Sequence, residues 1–251
     1  VKTMQGFVKK PPNAIFLHGP SGTGKTTLAR VYALAVNCET QVGCGKCASC
    51  LTFKGGNHPD ITEINAAEAS GIDAMRSLIS SAKYKPRFKR RIIIIDEAHQ
   101  CSSAAMECLL KELEEPAVNT TYILCTTEKQ KFKLTTLNRC KKIAIEPVND
   151  EALKSNLKRI VKLEDVTISD ANLDEIVLNS NGCVRESLAL LESFIAGGSI
   201  SALDMDTQNE LKAVAKDLFK AVITRDPVLL AKSVLSMPKG SAVSLLNQVL
   251  W

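Results

Sequence analysis

A glycine-rich loop, Gly19-Pro20-Ser21-Gly22-Thr23-Gly24-Lys25-Thr26, constrains this chain more than any other feature. An apolar run from Ala14 to Leu17 precedes it, and a helical pattern from Lys25 to about Val36 follows. Glycines let backbone N–H groups turn toward a ligand with no Cβ in the way. A helix starting at the loop adds the positive end of its dipole. The Gly-x-x-x-x-Gly-Lys-Thr pattern between a strand and a helix is therefore read as a Walker A phosphate cradle. Lys25 can reach the β and γ phosphates of a nucleoside triphosphate, and the Thr26 hydroxyl can ligate Mg²⁺. The expected ATP contacts are Gly19, Pro20, Ser21, Gly22, Thr23, Gly24, Lys25, Thr26 and Thr27.

The surrounding pattern supplies the fold class. Short apolar runs at Ala14–Leu17, Ile61–Ile64, Ile92–Ile95, Tyr122–Cys125 and Lys142–Ile145 alternate with helical stretches such as Ile72–Lys83 and Ser103–Leu113. Alternation of this kind predicts an α/β fold, a parallel sheet covered by helices on both faces. Ile92–Ile95 is apolar at every position, as a strand buried on both faces requires. It ends in Asp96-Glu97-Ala98-His99, at the sheet edge where ligands bind in such folds. Asp96 is placed to hold Mg²⁺, and Glu97 to orient or deprotonate an attacking water. Strand patterns stop near Pro147, and the chain is helical from Asn149 onward. The 251 residues, 45% hydrophobic and only 4% aromatic, suffice for a nucleotide-binding domain over 1–147 and smaller helical parts, packed mainly by aliphatic side chains. No segment is apolar enough to span a membrane, and no signal peptide is apparent, so a cytoplasmic setting without membrane attachment is expected. The chain begins at Val1, which suggests an internal piece of a longer protein.

Nine cysteines divide into two groups. Cys101, Cys108, Cys125, Cys140 and Cys183 are scattered among apolar residues and read as small buried hydrophobes. Cys38, Cys44, Cys47 and Cys50 follow the spacing Cys-x5-Cys-x2-Cys-x2-Cys. Four thiols so spaced suit a closed tetrahedral Zn²⁺ site, which is structural and leaves no position for a reacting water. An iron–sulfur cluster and a metal-free loop are the alternatives. Without metal, a polar segment with so little core is expected to be disordered.

These motifs together resemble those of AAA+ ATPase subunits of bacterial-type clamp loaders, the gamma/tau family of DNA polymerase III. The resemblance runs from about Pro12 to Gly198. It rests on the Walker A loop, the Asn37-Cys38 helix end with its cysteine module, His58-Pro59-Asp60, Glu63-Ile64-Asn65-Ala66-Ala67 and Asp96-Glu97-Ala98-His99. Leu109-Leu110-Lys111-Glu112-Leu113-Glu114-Glu115-Pro116 adds to it, although Asn65 stands where the family usually has Asp.

The resemblance implies further roles. Thr126 and Thr127 would be sensor 1, and Arg185, in Gly182-Cys183-Val184-Arg185-Glu186-Ser187-Leu188, the sensor 2 arginine. Asn138-Arg139-Cys140 takes the place of a Ser-Arg-Cys motif whose arginine acts in trans, on the ATP of a neighbouring subunit. The implied domains are a nucleotide-binding domain over 1–147 with the zinc module at 38–50, a helical lid over 148–202 and the start of a collar over 203–251. Family members grip adenine with a longer N-terminal segment, of which the residues before Gly19 would supply only part. Implied partners are other clamp-loader subunits, a sliding clamp and primer–template DNA, with ATP, Mg²⁺ and Zn²⁺ as cofactors. Another AAA+ DNA motor and a non-hydrolysing stator are the rival expectations.

DNA would meet the helix starts near Ser70-Gly71 and Ser102-Ser103. The basic run Lys83, Lys85, Arg87, Lys89, Arg90 and Arg91 reads instead as a solvated loop.

Overall fold

The computed structural model describes residues 2–68 and 71–197. The chain divides into two compact units, Val1–Ala189 and Leu190–Trp251, and the architecture below is that of the first, whose last helix continues past Ala189. Its elements run α1 (Lys2–Lys9), β1 (Ala14–His18), α2 (Lys25–Asn37), α3 (Ala48–Lys54), β2 (Ile61–Asn65), α4 (Ile72–Ala82) and β3 (Arg91–Asp96). They continue as α5 (Ser103–Glu114), β4 (Thr120–Thr126), α6 (Leu134–Arg139), β5 (Lys141–Ala144), α7 (Asp150–Leu163), α8 (Asp170–Ser180) and α9 (Val184–Ile195).

Five strands form one parallel sheet in the order β2-β3-β4-β1-β5. The phosphate-loop strand β1 thus lies between β4 and β5, with Ile15 opposite both Ile123 and Lys141. Period-two alternation sends Ile15, Leu17, Ile92, Ile94, Ile123 and Cys125 to one face, where they pack with Met4, Ala29, Tyr32 and Val36 of α1 and α2. Phe16, Ile93, Ile95, Tyr122 and Leu124 fill the other face with Met75 and Ile79 of α4 and Leu109 of α5. All ten of these strand side chains other than Cys125 are fully buried large residues, as the unbroken apolar run Ile92–Ile95 predicts. Fully burying one such aliphatic side chain is worth roughly 1.5–3 kcal/mol. The sheet is therefore a stiff base for the loops at its carboxyl edge.

Past β5 the described residues are helical. Leu153, Leu157 and Val161 of α7 and Leu173, Ile176 and Val177 of α8 are the buried positions of two packed helices. Asn149 and Ser169 cap them by accepting hydrogen bonds from Ala152 and Asn172 N–H. Such caps typically contribute about 1 kcal/mol each. Ser70 and the segment from 198 on, which holds the rest of the expected lid and the whole expected collar, lie outside the described residues.

Three local features differ from the sequence expectation. The fifth strand is shifted one residue toward the N-terminus, although Ile145 N–H still bonds to the His18 carbonyl at 2.7 Å. The cysteine segment contains the short helix α3, which begins at Cys47 as its N-cap. A second short helix, α6, carries Arg139 at its end.

Candidate functional site

The loop between β1 and α2 is shaped by its glycines. Gly24, at φ 89°, is the N-cap of α2, and a Cβ there would meet nothing within 4 Å. This open left-handed position faces free space at the helix N-terminus, as a phosphate cradle requires. Lys25 is only 7% exposed, and its ammonium donates to the Gly19 and Pro20 carbonyls at 3.0 and 2.7 Å. Burial lowers its pKa, partly offset by the Glu97, Cys125 and Asp96 charges, while Arg185 lowers it further. Thr23 donates to the Pro20 carbonyl at 2.8 Å and closes the turn.

Strand β3 delivers the carboxylates. Thr26 Oγ1 donates to Asp96 Oδ2 at 2.8 Å, and Glu97 N–H donates to Asp96 Oδ1 at 3.0 Å. Glu97 itself is left-handed, φ 47° and ψ 41°, a conformation that costs a non-glycine residue about 1–2 kcal/mol. Lys25, Thr26, Thr27, Asp96, Glu97, Arg30 and Arg185 line one cavity of about 350 Å³ together with loop residues Ser21, Gly22 and Gly24. That volume is in the range of small-molecule sites.

The helical segment after β5 closes on the loop. Arg185 N–H donates to the Gly22 carbonyl at 3.3 Å. At Gly22 (φ 68°) a Cβ would lie 2.2 Å from Cys183 Sγ and 3.2 Å from Arg185 Cβ, so only glycine allows this approach. Thr126 is fully buried at the end of β4 and half-buried Thr127 follows it; neither is among the cavity-lining residues. Arg139 also lies apart from the cavity: its guanidinium donates to the Thr135 carbonyl at 2.7 Å and pairs with Glu114.

The four clustered cysteines converge. Their sulfurs all lie within 4.8 Å of one another, with Cys38–Cys47 and Cys44–Cys50 at 4.0 Å. A tetrahedron with Zn–S arms of about 2.3 Å has edges of about 3.8 Å, so the set fits a four-thiolate ion. N–H groups of Cys44 and Cys47 point at the sulfurs of Cys38 and Cys44, at 3.3 and 3.4 Å. Burial works to raise the Cys38 thiol, but bonds from Cys44 and Thr40 outweigh it and bring it down to about 5. Burial pushes Cys50 up to about 12, helped by the neighbouring thiols. Backbone N–H bonds also lower the Cys47 thiol. A cluster that favours thiolates at Cys38 and Cys47 and resists one at Cys50 is one that a divalent cation would relieve. Of the scattered cysteines, Cys125 and Cys140 are buried as expected, whereas Cys101, Cys108 and Cys183 are half-buried.

Several residues brace the surroundings of the site in roles that sequence reasoning did not assign. Asn37, 2% exposed, accepts N–H bonds from Lys89 and Arg90 and so ties the end of α2 to the start of β3. Buried Asp60 accepts from Arg87 and Phe88 N–H, and His58 bonds to Ser49 of α3 at 3.0 Å. Arg30 grips Glu63 of β2 with two bonds of 2.7 and 2.6 Å, which raises the Arg30 pKa.

The basic run is corrected in part by the same contacts: Lys83, Lys85, Arg87 and Lys89 are exposed as expected, but Arg90 and Arg91 are half-buried. Lys89 caps the Cys38 and Glu39 carbonyls, Arg90 binds Thr121 Oγ1 and the Thr120 carbonyl, and Arg91 binds the Ser81 carbonyl. Ser102 caps α5 by accepting from Ala105 N–H, and Ser103 beside it is exposed. Nothing in periodicity or motif spacing marks these long-range partners.

The family described as DNA polymerase III, delta subunit, matches residues 5–149 of this chain. The chain belongs to that family. Its curated relatives include the DNA polymerase III subunit tau of Bacillus subtilis, 35% identical over 201 residues, which cover 78% of this chain and 36% of the relative. The subunit tau of Escherichia coli is 32% identical over 190 residues, 74% of this chain and 30% of the relative. The gamma/tau subunit of Mycoplasma genitalium is 35% identical over 226 residues, 86% of this chain and 38% of the relative. This DNA polymerase III family member thus resembles the gamma/tau subunits, and it spans about a third of the length of these curated relatives.

Two solved structures share its fold. Thermotoga maritima RuvB, a Holliday junction branch migration motor, superposes with a TM-score of 0.60 at 18% identity, covering 98% of this chain and 84% of that one. A gamma subunit-related DNA polymerase III protein of the same organism gives 0.54 at 16% identity, covering 99% and 76%. The fold is that of an AAA+ P-loop protein. No helix among the described residues is long and apolar enough to cross a membrane.

Proposed function

We propose that this chain is an ATP-hydrolysing subunit of a DNA polymerase III-type clamp loader, which places a sliding clamp on primed DNA. The observation that carries this reading is the convergence of Lys25, Thr26, Asp96, Glu97 and Arg185 on one cavity. A non-hydrolysing stator would not need both carboxylates at that place.

In this reading the loop N–H groups and Lys25 hold the β and γ phosphates. The Lys25 ammonium leaves the Gly19 and Pro20 carbonyls to do so. Thr26 and Asp96, already within hydrogen-bond distance, would hold Mg²⁺ (directly and through water), which when bound offsets charge on the phosphate oxygens. Glu97 takes the proton of the attacking water, and Arg185, tied to the loop through Gly22, answers the γ-phosphate from the lid. Thr126 and Thr127 sense that phosphate from the end of β4. Arg139 serves the next subunit's ATP, which accords with its distance from the chain's own cavity.

Cys38, Cys44, Cys47 and Cys50 would hold structural zinc. The domains are a nucleotide-binding domain to 147, a lid over 148–202 and the start of a collar from 203. Other loader subunits, the clamp and primer–template DNA are the partners, in the cytoplasm.

The test is ATPase activity of the assembled complex with primed DNA, with and without the cognate clamp, beside Glu97→Gln. Hydrolysis stimulated by both and lost in the variant is the expected result. Clamp-independent unwinding of DNA would point to a different motor, and full activity in the variant would sink the assignment.

A further inference from the structure

His99 follows the two carboxylates in sequence but lines a different surface. Its side chain is 5% exposed, and its ring bridges the turn after β3 to the end of β4. Nε2 lies 3.0 Å from Glu128 Oε1. Nδ1 lies 3.1 Å from Thr126 Oγ1 and 3.4 Å from Glu97 Oε2. The Thr126 hydroxyl oxygen also accepts from Glu128 N–H at 3.0 Å.

The Gln100 side-chain amide also lies 3.4 Å from Nε2, but the Glu128 carboxylate is the nearer neighbour and sets the proton. A carboxylate only accepts, so Glu128 draws the proton to Nε2. Thr126, whose oxygen already accepts from Glu128 N–H, donates its own proton to Nδ1. The ring nitrogen nearest Glu97 therefore offers an occupied lone pair and no hydrogen. In agreement, Glu97 Oε2 is buried and has no hydrogen-bond donor. Donation from His99 would weaken the carboxylate as the base that must accept a proton from water.

We propose that His99 is a positioning residue for Glu97, held by Glu128 and Thr126 in the Nε2–H tautomer so that it supports the carboxylate without quenching it. The inference rests on the ATPase reading of the cavity. It also gives Thr126 a second task. A hydroxyl that turns toward a γ-phosphate releases Nδ1, so phosphate occupancy at the end of β4 reaches Glu97 through the ring.

The experiment has two arms. The chain has three histidines, so ¹⁵N-histidine NMR with His99→Asn for assignment reads the tautomer directly. A proton on Nε2 alone is expected; a proton on Nδ1, or on both nitrogens, at neutral pH overturns the proposal. In the assembled complex, Glu128→Ala and Thr126→Val are expected to lower kcat about tenfold with KM for ATP within about twofold, and Thr126→Ser to restore it, since this is the scale at which a mispositioned base acts. Wild-type kcat in Glu128→Ala, with the tautomer lost, overturns it. Glu97→Gln separates the failures: full activity there refutes the ATPase reading itself, whereas an inactive Glu97→Gln beside fully active His99 and Glu128 variants refutes only the role of His99.

Discussion

At the phosphate loop, Lys25 is satisfied by two carbonyls and Thr26 by Asp96, on top of strands that are fully buried on both faces. In the cysteine module, four sulfurs face chiefly one another, and the buried cluster is Cys38, Cys47 and Cys50 with Leu34 and Cys44 against it. One site is built before its ligand arrives. The other has a small core, and in the proposed reading a bound ion supplies what packing does not. Ligand loss should therefore be local and chemical at the first site, and structural at the second.

The largest effect should come from a residue that touches neither site in its own chain. Arg139→Ala should lower hydrolysis in the assembled complex by about 10³-fold or more, the usual scale of an arginine supplied in trans. ATP affinity of the isolated chain should stay unchanged, and thermal melting nearly so, because the Arg139–Glu114 pair is partly exposed. Equal loss of ATP affinity in the isolated chain would show that Arg139 acts in cis.

Next in size, Lys25→Ala should remove measurable ATP binding, a loss of at least about 10²-fold for a charged group on the phosphates. The fold should survive, since the substitution leaves the sheet untouched. Calorimetric titration and a melting curve on the same sample check both halves. A variant that binds ATP normally breaks the nucleotide assignment, and one that unfolds breaks the contrast between the two sites.

Zinc removal should give the reverse pattern. A strong chelator, or Cys44→Ser, should lower the melting temperature and expose residues 38–54 to proteolysis, while ATP affinity falls by no more than a few-fold. Metal analysis should find one zinc per chain. Cys183→Ser serves as a control for general thiol effects. If chelation leaves protease resistance unchanged, the module is held by packing and the contrast is wrong.

How much of this was legible in the sequence follows the same division. Ile92–Ile95 announced a strand buried on both faces, and the glycine pattern announced the cradle, because each is a local rule acting on adjacent residues. Helix α3 was hidden because Ala48–Lys54 is short, contains one clustered cysteine and is capped by another, so no apolar period could appear. Arg90 and Lys89 read as solvated charge because their partners Thr121 and Cys38 are far away in sequence. His99 sits in a recognisable motif, yet only the fold brings Glu128 and Thr126 to its ring.

The smallest effect concerns the bolt between the two regions. His58 is 8% exposed, bonded through Nε2 to Ser49, and stacked at 4.9 Å on Phe88. Its Nδ1 accepts from Asp60 N–H at 3.2 Å, so a proton there would break a bond the fold uses. Burial lowers its pKa below 6.5, only partly opposed by the Asp60 charge. The folded state thus binds fewer protons than the unfolded state between the lowered value and 6.5. Stability contributed by the unprotonated ring is full above about pH 6.5 and declines as pH falls through that window. Metal-loaded protein should lose melting temperature as pH is lowered from 7 to 5.5, and His58→Gln should flatten that dependence at the expense of lower stability at pH 7. An unchanged slope in the variant would mean that the acid sensitivity lies in the thiolates, which also take up protons in that direction, and would return the weak point to the module itself.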